Sequence, residues 1–258
     1  MALLQSAPLA GTSNYFTVAS ASTDLYNAAG FPEIPGRVQF GRAPDGAACL
    51  VTQCSITDAV DASGGRRGEI AAPELTRDTA YWLSWDVWVP SSFPYASGPY
   101  CIAQMHDTPD AGNPIVNVSN VLMFIGADAR IQVWLPTAAS FNDKTTTTVV
   151  DKYYGPRVKF DQWAKCSLFV NFSTAATGFI EVYYDRQIVC KVWRQKTDYA
   201  NTLSAYCRLG VYDFSHLANF STLLAYFKGF TLRDGTDGAY ASMGADAKTS
   251  APKQLLFA

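Results

Sequence analysis

Three short segments carry potentially reactive side chains at alternate positions. In Arg66-Arg67-Gly68-Glu69-Ile70, Arg67 and Glu69 are two apart. In Cys101-Ile102-Ala103-Gln104-Met105-His106, Gln104 and His106 are two apart. In Tyr206-Cys207-Arg208-Leu209-Gly210-Val211-Tyr212, every second residue from Tyr206 to Tyr212 is polar, aromatic or glycine. Side chains two apart on an extended strand share a face. Cys101, Ala103 and Met105 then point away from Gln104 and His106. Cys207, Leu209 and Val211 form the apolar back of the third segment. If the three strands are neighbours, Arg, Gln, His and Tyr groups converge on one concave surface. Such a set suits acid–base chemistry beside a held anion. A guanidinium fork and an amide supply fixed donors. An imidazole titrates near about 6.5 and a phenol near about 10. Each residue alone has a plainer explanation: His106 a strand end, Tyr212 a rim aromatic, Arg67–Glu69 a surface ion pair.

The elements that must position these groups are strands. Short β-rich runs are punctuated by Gly, Pro, Asn and Asp, at residues 15–18, 37–40, 49–53, 80–89, 100–106, 121–125, 130–135, 164–172, 179–184, 187–193, 203–212 and 223–232. No helical period persists. The pattern predicts an all-β fold of antiparallel sheets packed as a β-sandwich. Residues 179–184 and 187–193, joined at Asp185-Arg186, form a tight hairpin. In the run 81–89, Tyr81, Leu83, Trp85, Val87 and Val89 make an apolar face. Trp82, Ser84, Asp86 and Trp88 make a mixed face that is either a sugar-stacking surface or a second packed layer. Residues 136–160 are expected to form a long loop or an exposed hairpin, a lid over the groove. The domain is expected over residues 1–233, with an Ala/Gly/Ser-rich tail over 234–258 that ends in Leu255-Leu256-Phe257.

Composition narrows the function. The chain has 258 residues, 48% hydrophobic and only 16% charged, with 20 basic against 22 acidic side chains. This balance excludes a disordered chain and a nucleic-acid binder working by bulk charge. No apolar run approaches the roughly 20 residues of a membrane span. Six cysteines without a CxxC pair, and two histidines, give no zinc motif. They are expected to be small buried residues. Asp58, Asp61, Asp107 and Asp110 match no cation-loop spacing. No metal or cofactor is expected. The N-terminus, Met-Ala-Leu-Leu-Gln-Ser-Ala-Pro, has no secretory signal pattern. An extracellular or virion-associated location is favoured, reached by another route or after removal of a signal.

The three segments resemble the motif set of jelly-roll polysaccharide lyases, the alginate, glucuronan and heparin lyase-like folds. Those motifs read Arg-x-Glu, Gln-x-His and a run ending in Gly-x-Tyr after an aromatic and a basic residue. Here they are Arg67-Gly68-Glu69, Gln104-Met105-His106 and the run from Tyr206 to Tyr212, in the same order. The likeness spans roughly residues 15–233. It departs in three places. Ile70-Ala71 follows Glu69, so that the next arginine is Arg77. Cys207 and Arg208 stand where Phe and Lys are common. Asp213-Phe214 replaces a polar pair. The resemblance implies a jelly roll with a concave groove, and β-elimination on a uronate-containing polysaccharide. Arg67 and Gln104 would clamp the carboxylate, and His106 or Tyr212 would take the C5 proton. Tyr212 would protonate the leaving oxygen, and Glu69 would orient Arg67. Arg208, Tyr206, Trp82 and Trp88 would line the substrate site. A different class remains: a non-catalytic glycan-binding module, or a surface or decoration protein of a virus particle, tethered through its C-terminal tail. A glycoside hydrolase would need paired carboxylates. Glu69, Glu74 and Glu181 are available, and no pattern pairs them.

Overall fold

Period-two alternation becomes two antiparallel sheets packed face to face. The computed structural model describes residues 37–58, 60, 65–107, 110, 119–137, 139–142, 150–213 and 220–234. The strands are β1 (Val38–Arg42), β2 (Ala48–Ser55), β3 (Arg67–Glu74), β4 (Ala80–Trp88), β5 (Tyr100–His106), β6 (Ser119–Ile125) and β7 (Arg130–Pro136). They continue with β8 (Val150–Arg157), β9 (Trp163–Asn171), β10 (Gly178–Tyr184), β11 (Gln187–Gln195), β12 (Tyr206–Tyr212) and β13 (Thr222–Asp234). No α-helix occurs among the described residues. One sheet runs β1-β2-β13-β4-β9-β10-β11, and the other β3-β12-β5-β6-β7-β8. This is an all-β sandwich of the jelly-roll kind. The order is non-sequential because β3, β12 and β5, far apart in the chain, lie side by side.

The core fills the space between the sheets. Leu83, Trp85, Val87 and Val89 from β4 and the residue after it meet Met105, Met123, Ile131, Val133, Cys207, Leu209 and Val211 from the other sheet. The apolar faces expected for β4 and β12 are the ones buried. The hairpin at Asp185-Arg186 is present as β10–β11, with both turn residues at positive φ, as its twist requires. All six cysteines are buried and unpaired by disulfides.

Two alternatives are decided and one expectation changes. Of the two readings of the Trp82 side of β4, the packed layer holds: Trp82 stacks on Phe169 at 4.3 Å and is fully buried. Of the two readings of 136–160, the hairpin holds: β8 pairs antiparallel with β7 and forms an edge of the six-stranded sheet. Cys101 does not share a face with Ala103 and Met105. A bulge between Cys101 and Ala103 shifts the register, and Cys101 joins Leu122, Phe124 and Tyr212. An extra residue breaks strict alternation. The strand expected at 15–18, residue His216 and residues 235–258 of the expected tail lie outside the described residues.

Candidate active site

The outer face of the six-stranded sheet gathers the three segments. β12 lies between β3 and β5, with Tyr212 opposite Arg67, Arg208 opposite Gln104, and Tyr206 opposite His106. Two glycines make this closeness possible. Gly210 has φ +146, and a side chain there would strike the Gly68 carbonyl at 2.0 Å. A Cβ on Gly68 would meet the Gln53 carbonyl at 2.4 Å. Only residues without a side chain allow the backbones to approach in this way.

A connected polar row crosses this face. Gln104 donates from Nε2 to Glu69 Oε1 at 2.7 Å, and Ser119 donates to Gln104 Oε1 at 3.1 Å. Glu69 Oε2 lies 3.5 Å from Arg67 Nη1. The Arg67 guanidinium sits 3.9 Å from the centre of the Tyr212 ring, a cation–π contact. Glu69 thus lies between Arg67 and Gln104, in contact with both. Arg66 pairs with the buried Asp213 at 3.6 Å, so the residue after Tyr212 anchors the start of β3. The guanidinium groups of Arg67 and Arg208 share this face with the carboxylate of Glu69, and Glu74, opposite Tyr206, and Asp107 lie close enough to act on Tyr206.

His106 and Tyr206 form the accessible end. Their rings are 5.6 Å apart, and both are half-buried. His106 Nδ1 lies 2.6 Å from the Asp107 carbonyl. A carbonyl only accepts, so Nδ1 carries the proton and Nε2 keeps its lone pair. Burial pushes the imidazole down to about 4; the Asp107 bond opposes this and the Arg67 charge adds to it. Arg208 donates to the Tyr206 hydroxyl and lies beside its ring. Burial holds the Tyr206 hydroxyl well above the usual phenol range, with the Glu69 charge adding to the shift. Burial likewise lowers Arg208, to about 9. At neutral pH the site holds a neutral imidazole beside a protonated phenol.

The structure does not bring Tyr212 to His106. Tyr212 pairs with Cys101, five residues along β5 from His106, a separation of roughly 16 Å at about 3.3 Å per residue. Its ring is buried beneath Arg67. Trp82 and Trp88 also stand apart. Both are buried on β4 of the other sheet, because alternation identifies two faces but not which sheet a strand joins. Glu69, Glu74 and Glu181 do not assemble as a pair; Glu181 is on β10 of the seven-stranded sheet.

The sheet supplies residues that sequence reasoning missed. In line with Arg208 and Gln104, which it named, Leu122, Trp134 and Lys152 follow in turn across β6, β7 and β8. Lys152 Nζ sits 3.9 Å over the Trp134 ring, and Tyr154 on the same strand is 61% exposed. An aromatic and cationic wing therefore extends the site face. The available signal was alternation in 130–135, where Ile131, Val133 and Leu135 enter the core and leave Gln132 and Trp134 outside. No cluster of three or more His, Cys, Asp or Glu groups suited to a metal occurs among the described residues.

A second network braces the His106 end. Asp198, buried, accepts from Arg77 Nε at 2.7 Å, Asn120 Nδ2 at 2.9 Å, Ser204 at 3.0 Å and the Tyr199 amide at 3.0 Å. Arg77 also donates to the carbonyls of Tyr199, Asn201 and Leu203. Asn201 in turn donates to Asp107 at 2.8 Å. The carbonyl of this same Asp107 binds His106.

A family model described as "Polysaccharide lyase" matches residues 36–230. No curated protein matches the chain. Solved structures share its fold. An endo-beta-1,4-glucuronan lyase from the fungus Trichoderma reesei is 12% identical, with a TM-score of 0.61 over 84% of this chain and 96% of its own. Alginate lyase A1-II', a member of polysaccharide lyase family-7, is 15% identical, with a TM-score of 0.55 over 76% of this chain and 82% of its own. An alginate lyase from Pseudomonas aeruginosa is 14% identical, with a TM-score of 0.52 over 76% and 85%.

Proposed function

We propose that this chain, which belongs to the polysaccharide lyase family, cleaves an anionic uronate-containing polysaccharide by β-elimination. The observation that carries this is His106. Its Nδ1 proton is tied to the Asp107 carbonyl, and its Nε2 lone pair is left for a substrate proton. Elimination needs the C5 proton removed beside a carboxylate that resists more negative charge. Guanidinium and amide donors on that carboxylate stabilise the developing anion. Arg67 and Gln104, both in contact with Glu69, are the groups of this face that could fill that role. His106 Nε2 takes the proton, the C5–H pair becomes the C4=C5 double bond, and the C4–O bond breaks. The leaving oxygen takes a proton from a tyrosine of β12. Position favours Tyr206, which adjoins His106 and stays protonated. The motif match favours Tyr212. Trp134 and Lys152 offer a stacking surface and a cation for a neighbouring sugar.

Polyglucuronate, alginate and glycosaminoglycans incubated with the protein are expected to yield, for one of them, an unsaturated product absorbing in the near ultraviolet. No absorbance from any of them would leave the non-catalytic glycan-binding reading in its place. That reading has one observation on its side. Arg67, Gln104, Arg208 and Tyr212 are all buried, leaving His106 and Tyr206 as the part of the row a polymer reaches first.

The lowered imidazole sets the acid limb of the pH profile. His106 is a base only when neutral, and its proton leaves at about 4. The rate kcat/KM is expected to stay level from pH 7 to about 5 and to fall tenfold per unit below about 4. A profile falling already at about 6.5 would mean an ordinary exposed imidazole.

A further inference from the structure

The seven-stranded sheet carries a feature the elimination chemistry does not use. Its outer face, on the far side of the sandwich from His106, ends at edge strand β11. There Trp193 is opposite Phe179, Lys191 opposite Glu181, and Ile188 opposite Tyr183. Trp193 is 44% exposed and Ile188 42%.

Trp193 is exposed and yet fixed. Its ring stacks on Phe179 at 4.5 Å with planes 15° apart. Its Nε1 donates to Glu181 Oε1 at 2.7 Å. Glu181, only 2% exposed, also accepts from Tyr183 and lies 3.0 Å from Lys191 Nζ. The indole's single donor is therefore satisfied inward, and its outer surface is a flat apolar plate in a set orientation. Beneath it the stack continues from Phe179 to Phe169 and Trp82, so the plate rests on rigid packing. Cations border it. Lys191 Nζ is 5.6 Å from the ring centre and uses one of its donors on Glu181. Exposed Arg194 is the extra residue of a bulge, at φ 58.

An exposed indole fixed by stacking and by a buried carboxylate has few structural reasons to exist on a sheet edge. A sugar ring presents an apolar C–H face to such a plate, and a uronate presents a carboxylate to the bordering cations. We propose that Trp193, Lys191 and Arg194 form a second polysaccharide-binding site, holding a segment of anionic chain on the sheet face opposite the one that cleaves it. The anionic character of the ligand rests on the uronate reading above.

The test is electrophoresis of the whole protein through gels containing polyglucuronate or alginate, in parallel with the ultraviolet assay for cleavage. The wild type is expected to be retarded by one of the polymers. Trp193→Ala should weaken that retention roughly fivefold, while Trp193→Phe keeps most of it. Arg194→Ala, at an exposed position, should weaken retention in low salt and have little effect in high salt. Migration of Trp193→Ala and Arg194→Ala like the wild type in every gel overturns the second site, as does a wild type retarded by no polymer. Trp193-dependent retention without any cleavage would sink the lyase reading and leave this site standing. Cleavage with retention indifferent to Trp193 and Arg194 would do the reverse.

Discussion

Replacing His106 by glutamine is expected to lower kcat on the cleaved polymer by about 10²–10⁴-fold, with a much smaller change in KM. Glutamine keeps the length and an amide donor, but it offers no basic nitrogen. Burial already holds the imidazole neutral, so the substitution removes no charge from the floor of the site. The loss should therefore appear in the chemical step and leave the unfolding midpoint close to that of the wild type. Two further variants locate the proton donor. Tyr206→Phe removes a hydroxyl held by Arg208 beside His106. Tyr212→Phe removes one whose ring lies beneath Arg67. If Tyr206 is the donor, its variant loses kcat by a similar factor and that of Tyr212 loses little. The opposite pattern would mean that Tyr212 swings toward His106 when substrate binds. A His106→Gln enzyme with near wild-type kcat would remove the imidazole from the mechanism.

The parts of this site that were legible in the sequence are those that depend on parity alone. Gln104 and His106, or Tyr206 and Arg208, share a face because strands alternate, and no tertiary information is needed. That β3, β12 and β5 are neighbours came from the motif resemblance, since nothing local specifies pairing between residues some 140 positions apart, such as Arg67 and Tyr212. Where alternation failed, an added constraint prevailed. The bulge near Cys101 turned that side chain toward Tyr212. Trp82 and Trp88 lie on a face that is polar in pattern but covered in fact, while Trp134 lies on the same sheet as the candidate site. Gly210 and Arg208 of β12 were visible as residue types; the reason for the glycine, a Gly68 carbonyl that a Cβ would meet at 2.0 Å, was not.

The brace behind His106 was the least legible element, because its partners are 121 positions apart in the chain. It is also where the largest stability change is expected. Asp198→Ala should lower unfolding stability by about 3–5 kcal/mol, the effect of leaving a largely buried cation without its partner. Four donors converge on this carboxylate, and Arg77 fastens three alternate carbonyls of the same loop, those of Tyr199, Asn201 and Leu203. Asp198→Asn should lose less, since an amide oxygen still accepts from Asn120 or the Tyr199 amide. In a double-mutant cycle Arg77→Ala should add little to Asp198→Ala, because the pair acts as a unit. Urea unfolding measures each of these, and a shift below about 1 kcal/mol for Asp198→Ala would mean that the loop is held by other contacts. The loop delivers Asn201 to Asp107, and the Asp107 carbonyl fixes the His106 tautomer. Loosening the brace should therefore reach the site as well. Asp198→Asn, still folded, is expected to move the acid limb of the pH profile upward from about 4, as a looser loop lets more water reach the half-buried imidazole. A stability loss that left that limb in place would confine the brace to holding the fold.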